Sequence, residues 1–573
     1  MQRSALRDLI FLTLICGLTY AAGLTAHGLS NWQEAERALV AREMQTHGDW
    51  IVPTVYGKPY LSKPPMIYWS QLAIASLRRA RTSEFDLRLT VALAGWLGVL
   101  ASYVVARRML GASAAWWSSL FLATGILYVH AARIGEIDIL LVPFTVAAVG
   151  VLYSAWRTSI EEQRTNIGAI FIATLAGCGV MLAKGPPGLL VIALAGYGGI
   201  ALAEAWNNRS GRGVWMTSTI IGIFAAGFAA CLNRTWNADA VIGVLLLAMM
   251  LPVAAATLIR LAEPKRAMAV LRTYARTQLL VVLGLPLIAF YGWGRMVEAR
   301  IGVEATQFAV RNEASDNLRV LVLHSPLDNV LAVTYGAGLG SIAGIVAIVW
   351  LVRNGKITPA LWILIAWVGG GIIAFSVLTK AVPRYLTPVW PGLAMLGGWW
   401  FASILSTVRA PRRLALGALG VVVLLAIGQW WWYGHPGDRF YGEPSPRSFV
   451  HELCSLPDVD PSRLATYEFS TPMVDYYVGE RIKSFDAGGP ATLLDLRTEL
   501  AVSDRPIILL IRKTQPREPE VDPRPAIERL RRAGLEIDPI PLRSHFTIDK
   551  WNIPVIAVRV QPLGHSQEPT SIR

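Results

Sequence analysis

The chain has 573 residues, of which 54% are hydrophobic and only 16% are charged, and its formal net charge is +14. A soluble chain of this length would carry about a quarter charged residues, so the composition excludes an ordinary soluble protein. The apolar residues form blocks of about 17 to 25, which is long enough to cross a bilayer as helices. We therefore predict a mainly α-helical, polytopic membrane protein.

The positive charge lies mostly in short loops between the apolar blocks. This is the orientation signal of membrane proteins, and it does not indicate a nucleic-acid-binding face. We therefore expect no nucleic-acid partner. The four cysteines are scattered without metal or redox spacing, which predicts no disulfide framework.

Hydropathy predicts about thirteen transmembrane helices. They lie near 8–26, 87–106, 113–131, 137–155, 166–183, 186–205, 214–232, 239–260, 276–294, 327–352, 358–376, 384–404 and 412–431. The first is interpreted as a retained anchor, because no small-residue cleavage site follows it. With the N-terminus in the cytoplasm every second loop is basic, as at Arg107 and Arg108. The predicted location is a bacterial inner membrane.

An odd number of spans places the chain after residue 431 on the periplasmic face. We predict a transmembrane domain over 1–431 and a soluble α/β domain over 432–573. In the latter, "RLATYEF", "RIKSF", "PIILLIRK" and "PVIAVRV" are typical of strands, and "TPMVDYYVG", "ATLLDLRTEL" and "PAIERLRRAG" of helices. This domain contains no catalytic motif, so a lid or docking role is expected.

The first outer loop, residues 27–86, is unusually polar. Its piece "QEAERALVAREMQT" predicts an amphipathic helix in the interface plane, with acids and arginines on its outer side. The piece "GDWIVPTVYGKPYLSKPP" is expected to be extended. "MIYWSQLAIASL" predicts a second interfacial helix, in which Tyr68 and Trp69 suit headgroup depth.

Further charges gather on the same predicted outer face. Glu136 and Asp138 stand at the mouth of a span, where acids are expensive and indicate a functional site. The alternative is that they only cap a helix N-terminus. The remaining outer charges are Lys63, Lys184, Lys380 and Arg384, with Tyr385 beside them, and the acids and bases of the loop 295–326. Such cations suit a phosphate at headgroup level, although each alone could simply extend to the interface.

These stretches resemble the GT-C membrane glycosyltransferases, in particular the bacterial aminoarabinose transferases of lipid A and the related protein mannosyltransferases. The matching stretches are "QEAERALVAREM", "GDWIVP", "SKPPMIYW", "DLRLTVA" with Arg88, "RIGEIDILL", "LAKGPPGLL" and "RYLTPVWPGLAML". They run in family order from residue 30 to about 395. The predicted layout of spans followed by a periplasmic tail is similar to that of the aminoarabinose transferases.

The resemblance implies a monomeric enzyme that takes a sugar from a polyprenyl phosphate donor. It implies transfer to a periplasmic acceptor, with 4-amino-4-deoxy-L-arabinose and lipid A as the expected sugar and acceptor. Lys63 matches the family lysine expected near the donor phosphate. Lys380, Arg384, Tyr385 and Lys184 are its expected helpers.

The family aspartate of the first outer loop, the presumed base, falls on Gln33 in this chain. Glutamine does not accept a proton at neutral pH, so another group must act. We expect Glu34 or Glu36 to replace it, with Asp138 as the second carboxylate; Asp138 alone would suffice for an acceptor phosphate that is already ionised. Arg88, Glu136 and Tyr60 are expected to complete the site.

Other functions stay open from the sequence. A protein O-mannosyltransferase-like enzyme, an enzyme with another glycan acceptor, a transporter of lipid-linked precursors and a non-catalytic assembly protein would share parts of this pattern. No internal repeat of the transporter type is visible. No His/Asp cluster has metal-ligand spacing, so no cofactor is predicted and a divalent metal is left as an alternative.

Overall fold

The structure is a computed structural model of the chain. It describes residues 3–206, 257–307, 336, 338–354, 357–378, 383–434, 446–469, 471–485, 489–502, 505–512, 526–548 and 553–562. The predicted spans 214–232 and most of 239–260 lie outside the described residues. So do Lys380 and the charged residues of the predicted loop 295–326 that follow position 307.

The described part is predominantly helical. Its α-helices are α1 Arg3–Cys16, α2 Trp32–His47, α3 Met66–Arg78, α4 Glu84–Leu110, α5 Ala112–Ala123, α6 Ile126–Ala131, α7 Leu141–Glu161, α8 Ile167–Lys184, α9 Pro186–Ile192, α10 Gly199–Trp206, α11 Pro264–Arg276, α12 Leu279–Ile301, α13 Leu339–Asn354, α14 Pro359–Leu378, α15 Trp390–Leu405, α16 Pro411–Gly434, α17 Arg447–Cys454, α18 Pro472–Val478, α19 Gly489–Ala501 and α20 Ala526–Arg532. The strands are β1 Thr54–Val55, β2 Lys58–Pro59, β3 Leu464–Tyr467, β4 Lys483–Phe485, β5 Ile507–Arg512, β6 Leu535–Pro539, β7 Phe546–Ile548 and β8 Ile553–Pro562.

Six helical stretches among the described residues are long and apolar enough to cross a membrane. They are Glu84–Leu110, Ile137–Glu161, Ile167–Lys184, Pro186–Trp206, Leu279–Ile301 and Pro411–Gly434. Each coincides with a predicted span. Two shorter apolar helical stretches, Leu339–Leu351 and Pro359–Ile372, lie at two further predicted spans. The protein is thus a multi-pass membrane protein, and the total of thirteen spans stays a prediction.

The predicted span 113–131 is interrupted between α5 and α6. The break leaves carbonyl groups without helical partners, and inside a membrane each must be satisfied by protein. Tyr20 donates to the Ala123 carbonyl at 2.9 Å, and Gln429 donates to the Thr124 carbonyl at 2.9 Å. These long-range partners stabilise a break that local hydropathy does not reveal.

The long helix α4 shows how sequence sets a boundary. Ser83 and Asp86 form a reciprocal capping box at its start. Asp86 also accepts two hydrogen bonds from Arg78, at 2.6 and 2.8 Å, which ties the end of α3 to the start of α4. These contacts fix the connection between the first loop and the helix bundle.

The C-terminal part, which is the described residues between 446 and 562, contains a six-stranded mixed sheet. Its strand order is β4-β3-β5-β8-β6, and β7 also pairs with β8. β3 pairs in parallel with β4 and β5, whereas β8 is antiparallel to its three partners. All four stretches predicted as strands and all three predicted as helices form such elements. Helix α20 ends two residues before Gly534, which has a φ of +76°.

The C-terminal part packs on the first loop. Three consecutive residues of α18 make hydrogen bonds to it. Asp475 accepts a hydrogen bond from the Tyr56 hydroxyl at 2.5 Å, and the Tyr476 carbonyl accepts one from Arg42 at 2.9 Å. The Tyr477 hydroxyl donates to Glu84 at 2.5 Å. The first loop and the C-terminal part therefore lie on the same side of the membrane helices.

The structure corrects the prediction that α2 carries its charges on an outer face. Helix α2 forms as expected, but Glu34 and Arg37 are buried, so acids and arginines do not form an outer face. Tyr68 in α3 is 0% exposed, so its ring is covered by protein. The sequence pattern could not reveal the cause, because Arg88 and Gly135, 54 and 98 residues away, hold Glu34 and Arg37.

Candidate active site

The candidate site forms where three interruptions of the membrane helices lie together, and we call this place the junction. The first is the 3-10 turn Ile137–Leu140 before α7, and the second is the end of α8, where Gly185 with a φ of +86° and two prolines stop the helix after Lys184. The third is the 3-10 segment Pro383–Val389 before α15. Helix α2 contacts this junction through its first turns. Polar side chains therefore meet at the ends of membrane helices, as the sequence predicted.

Asp138 and Lys184 form an ion pair at the centre of the junction. The Lys184 ammonium group also lies 3.9 Å from the centre of the Tyr385 ring, which is a cation–π distance. The Asp138 side chain is 1% exposed and that of Lys184 is 14% exposed. Asp138 makes no side-chain cap to α7, so the structure does not support the alternative capping role.

A second polar group surrounds Arg384. The guanidinium donates to the Gln33 side-chain oxygen at 2.7 Å and to Glu136 at 3.0 Å. Arg37 lies on the other side of Glu136, with a nitrogen–oxygen distance of 3.6 Å, and donates to the Gly135 carbonyl at 2.6 Å. Gln33 thus belongs to the cluster and accepts a hydrogen bond there.

In each group one cation is more exposed than the carboxylate that it pairs with. The Arg384 side chain is 29% exposed, whereas that of Glu136 is 6% exposed. With Lys184 also partly exposed, the accessible surface of the junction presents positive charge while the carboxylates lie beneath it. An approaching anion would meet the cations first.

The end of the extended segment adds a third polar group. The Tyr60 hydroxyl donates to Glu36 at 2.6 Å. Burial and the neighbouring Glu36 carboxylate raise the pKa of Tyr60, which keeps the phenol protonated as the donor. Lys63 is half-buried, and its amine donates to the Ser62 carbonyl at 3.0 Å and hydroxyl at 2.9 Å.

Glu34 is directed away from these groups. It is 0% exposed. One carboxylate oxygen accepts from Arg88 at 2.8 Å, and the other accepts from the Ser30 backbone at 2.9 Å and from a second Arg88 nitrogen at 3.2 Å. Both oxygens are occupied, so the structure separates Glu34 from the carboxylates that face the junction.

Arg88 uses its whole guanidinium group in the same buried network. Besides Glu34, it donates to the carbonyls of Leu24, His27 and Gly28 at 2.8, 2.6 and 2.7 Å. All five N–H groups therefore have acceptors. Arg88 is thus the anchor that fixes the chain entering α2, and it does not face the junction.

Gly135 permits the close approach of these networks. Its φ is +64°, and a side chain there would lie 3.1 Å from Glu34 and 3.0 Å from Leu87. Sequence reasoning did not assign a role to Gly135 or Arg37. The signal for Arg37 is weak, because an arginine on an amphipathic helix normally faces water, and here a carbonyl and an acid nearly 100 residues later hold it.

The β1–β2 hairpin connects the site to the C-terminal part. Its two turn residues, Tyr56 and Gly57, have φ values of +55° and +70°, as a type I′ turn requires. Tyrosine is strained in this region, where asparagine or glycine is preferred. The Tyr56 backbone N–H donates to Glu43 at 2.5 Å, and its ring stacks under Arg481 at 4.5 Å. Together with Asp475, these contacts hold the strained residue.

Among the described residues, no group of three or more histidine, cysteine, aspartate and glutamate side chains is arranged to hold a metal ion. Positive charge at the junction is supplied by Lys184 and Arg384.

Comparison with known proteins gives partial sequence matches. A family model described as dolichyl-phosphate-mannose-protein mannosyltransferase matches residues 62–232. An undecaprenyl phosphate-alpha-4-amino-4-deoxy-L-arabinose arabinosyl transferase 2 from Pseudomonas fluorescens is 35% identical over 111 residues, which are 19% of this chain and 18% of the relative. An undecaprenyl phosphate-alpha-4-amino-4-deoxy-L-arabinose arabinosyl transferase from Pseudomonas aeruginosa is 34% identical over 100 residues, 17% of this chain and 18% of the relative. The chain thus matches less than a fifth of the length of these two relatives.

The fold comparison extends over nearly the whole chain. The crystal structure of ArnT from Cupriavidus metallidurans bound to undecaprenyl phosphate superposes with a TM-score of 0.61. The match covers 97% of this chain and 98% of that one, at 17% sequence identity. At this identity the likeness establishes the fold alone. Together with the sequence matches, it means that the chain resembles a GT-C glycosyltransferase of the ArnT type.

Proposed function

We propose that this chain, which resembles the GT-C membrane glycosyltransferases, moves a sugar from a polyprenyl phosphate donor to an acceptor at the outer face of the membrane. The expected donor is undecaprenyl phosphate carrying 4-amino-4-deoxy-L-arabinose, and the expected acceptor is lipid A. The junction of Gln33, Glu136, Asp138, Lys184 and Arg384 is the observation that carries the proposal. These side chains come from distant segments and converge at the mouth of the bundle with the cations outermost.

The chemistry of the donor explains the need for cations. In the transfer, the bond between the sugar C1 and the phosphate oxygen breaks while the acceptor oxygen bonds to C1. The leaving polyprenyl phosphate gains a negative charge. Groups placed where charge develops lower the barrier, so Lys184 and Arg384 are proposed to bind the leaving phosphate. Lys63 is proposed to assist from the end of the extended segment, as the family pattern implies.

Asp138 is proposed as the carboxylate that serves the acceptor. When the donor phosphate binds Lys184, the ammonium group interacts with both the phosphate and Asp138. The ion pair between Lys184 and Asp138 is then weaker. An acceptor hydroxyl can then pass its proton to Asp138, whereas an ionised acceptor phosphate needs only to be oriented. This arrangement makes the carboxylate available once the donor is bound.

Gln33 and Glu36 are proposed to orient the acceptor. Gln33 is held by Arg384, and its amide N–H groups suit an acceptor oxygen. Glu36 is the second candidate base, because it keeps a hydrogen-bonded position beside Tyr60 in a half-buried setting. Glu34 is proposed to be structural because Arg88 and Ser30 occupy its oxygens.

Several broader features belong to the same proposal. The site and the C-terminal part are placed in the periplasm of a bacterial inner membrane, and the protein acts as a monomer. The basic loops support this orientation. The names of the two Pseudomonas relatives support the donor, and the resemblance described in the sequence analysis supports the acceptor.

The test follows transfer by mass spectrometry, with purified protein, undecaprenyl phosphate-linked aminoarabinose and lipid A. Wild-type protein should transfer the sugar, Lys184→Ala should not, and Asp138→Asn should transfer it at least about 100-fold more slowly. Asp458→Asn, an exposed acid in the C-terminal part, is the matched control and should retain full activity. Absence of transfer by the wild type, under conditions in which a known aminoarabinose transferase is active, would reject this sugar and acceptor.

A further inference from the structure

A cavity of about 350 Å³ lies at the other end of the helices that build the candidate site. It is lined by the last turns of α7, by Glu204 of α10 and by one face of α11. Asp138 stands just before α7, and the cavity lies at its C-terminal end. A helix of 21 residues is about 30 Å long, so the cavity lies at the opposite membrane surface.

Three arginines line this cavity, and they differ in how they are bound. Arg157 is paired with Glu161. Arg276 donates through one nitrogen to the Ser159 carbonyl at 2.9 Å and to Gln163 at 2.6 Å. Within the described part of the chain, the other guanidinium nitrogens of Arg276 make no hydrogen bond. The cavity therefore holds one arginine fixed in position with donors to spare.

Arg272 completes the basic wall. It lies one turn before Arg276 on α11, so the two side chains share a helix face. Arg272 is exposed and has no ion pair or hydrogen bond to a described residue. The remaining acid of the cavity, Glu204, accepts from the Trp156 indole at 2.9 Å. The unused N–H donors of these two guanidinium groups can bind the oxygens of one phosphate.

One exposed apolar side chain also lines the cavity. Ile160, near the end of α7, lines it and is 44% exposed. An exposed apolar side chain beside a basic cavity at a membrane surface fits a ligand with a charged head and an acyl chain.

We propose that this cavity binds the headgroup of an anionic glycerophospholipid. The phosphate is held by Arg272 and Arg276, and the acyl chain lies along Ile160. The volume suits a headgroup and not a whole lipid. The site is separate from the proposed transfer reaction and does not depend on it.

Native mass spectrometry of the full chain in a non-ionic detergent tests the proposal. Phosphatidylglycerol is titrated against phosphatidylcholine. The wild type should retain one phosphatidylglycerol at least about tenfold better than phosphatidylcholine, and Arg272→Gln should lose this preference because a charge-assisted contact is gone. Arg412→Gln, an exposed arginine at the start of α16 outside the cavity, should keep it. Equal retention of the two lipids by the wild type, or equal loss in both variants, would overturn the proposal.

A second arm separates a lipid from free phosphate. Ile160→Ser should weaken retention of phosphatidylglycerol, because the acyl chain loses an apolar contact. Millimolar inorganic phosphate should displace little of the bound lipid. Efficient displacement together with an unchanged Ile160→Ser variant would mean that the cavity takes a free phosphate ester, and the lipid proposal would fail.

Discussion

Replacing Glu34 by glutamine should destabilise the protein while leaving the junction intact. The change keeps the shape of the side chain but removes the charge that neutralises Arg88, whose side chain is only 6% exposed. Removing one partner of a buried ion pair costs about 3–5 kcal/mol. The Glu84 carboxylate, 3.9 Å from Arg88, still offsets part of the remaining charge, so the lower end of this range is expected. The folded-to-unfolded ratio should therefore fall by about two powers of ten. Reversible unfolding in mixed micelles measures this free energy.

Glu36→Gln is the matched control. It lies on the same helix, is half-buried and accepts one hydrogen bond from Tyr60, so its loss should cost only about 1 kcal/mol. The double variant Glu34→Met/Arg88→Met removes the uncompensated charge and should recover part of the stability. It should not reach the wild type, because the carbonyls of Leu24, His27 and Gly28 lose their donor.

Activity per folded molecule completes the test of Glu34. If it acts only through Arg88, the surviving folded fraction of Glu34→Gln should transfer sugar at nearly the wild-type rate. A variant with unchanged unfolding free energy and no transfer would refute the reasoning, since it would make Glu34 a reacting group.

Asp138→Asn should lower kcat by about 100-fold or more, as expected for loss of a general base with a hydroxyl acceptor, and should change the donor KM little; a comparable rise in KM with unchanged kcat would contradict the assigned role. Tyr56→Phe should weaken the packing of the C-terminal part on the first loop, because the hydrogen bond to Asp475 is lost while those of Tyr476 and Tyr477 remain, and limited proteolysis should cleave that part faster than in the wild type. Burial raises the pKa of Asp475, so the docked state takes up a proton, docking is strongest at low pH, and it weakens as the pH rises through the raised pKa. Proteolysis at a series of pH values should show this trend, and Asp475→Asn should abolish it. Treatment with a chelator should leave the transfer rate unchanged, because Lys184 and Arg384 supply the positive charge; a large loss restored by a divalent cation would show that a metal acts.

The membrane helices and the shared junction were predictable because their signals are local. Apolar blocks of spanning length mark the helices, and the glycine and prolines after Lys184 mark where a helix stops. Asp138 and Lys184 were expected on one face from alternating loop charge alone. The structure brings them into contact, although their catalytic roles stay predictions.

The role of Glu34 was not predictable, because its partner is 54 residues away. Glu34, Glu36 and Arg37 stand within one helical turn and have similar hydropathy, so sequence alone cannot tell that Glu34 and Arg37 are buried and Glu36 is only half-buried. The burial of Glu34 depends on Arg88, which donates to three loop carbonyls and to both oxygens of Glu34. Long-range hydrogen bonds of this kind leave no periodic pattern.

The contact between α18 and the first loop has a consequence for biogenesis. Glu84 and Tyr477 are separated by 393 residues. At a synthesis rate of about 5–20 residues per second, the ribosome needs roughly 20 to 80 s to deliver the second partner after the first. During that interval Arg88 and Glu34 can already pair, but the surface of α2 that α18 covers is bare. A chain that terminates before residue 475 keeps this surface exposed, so membrane proteases and chaperones can distinguish an unfinished copy from a finished one.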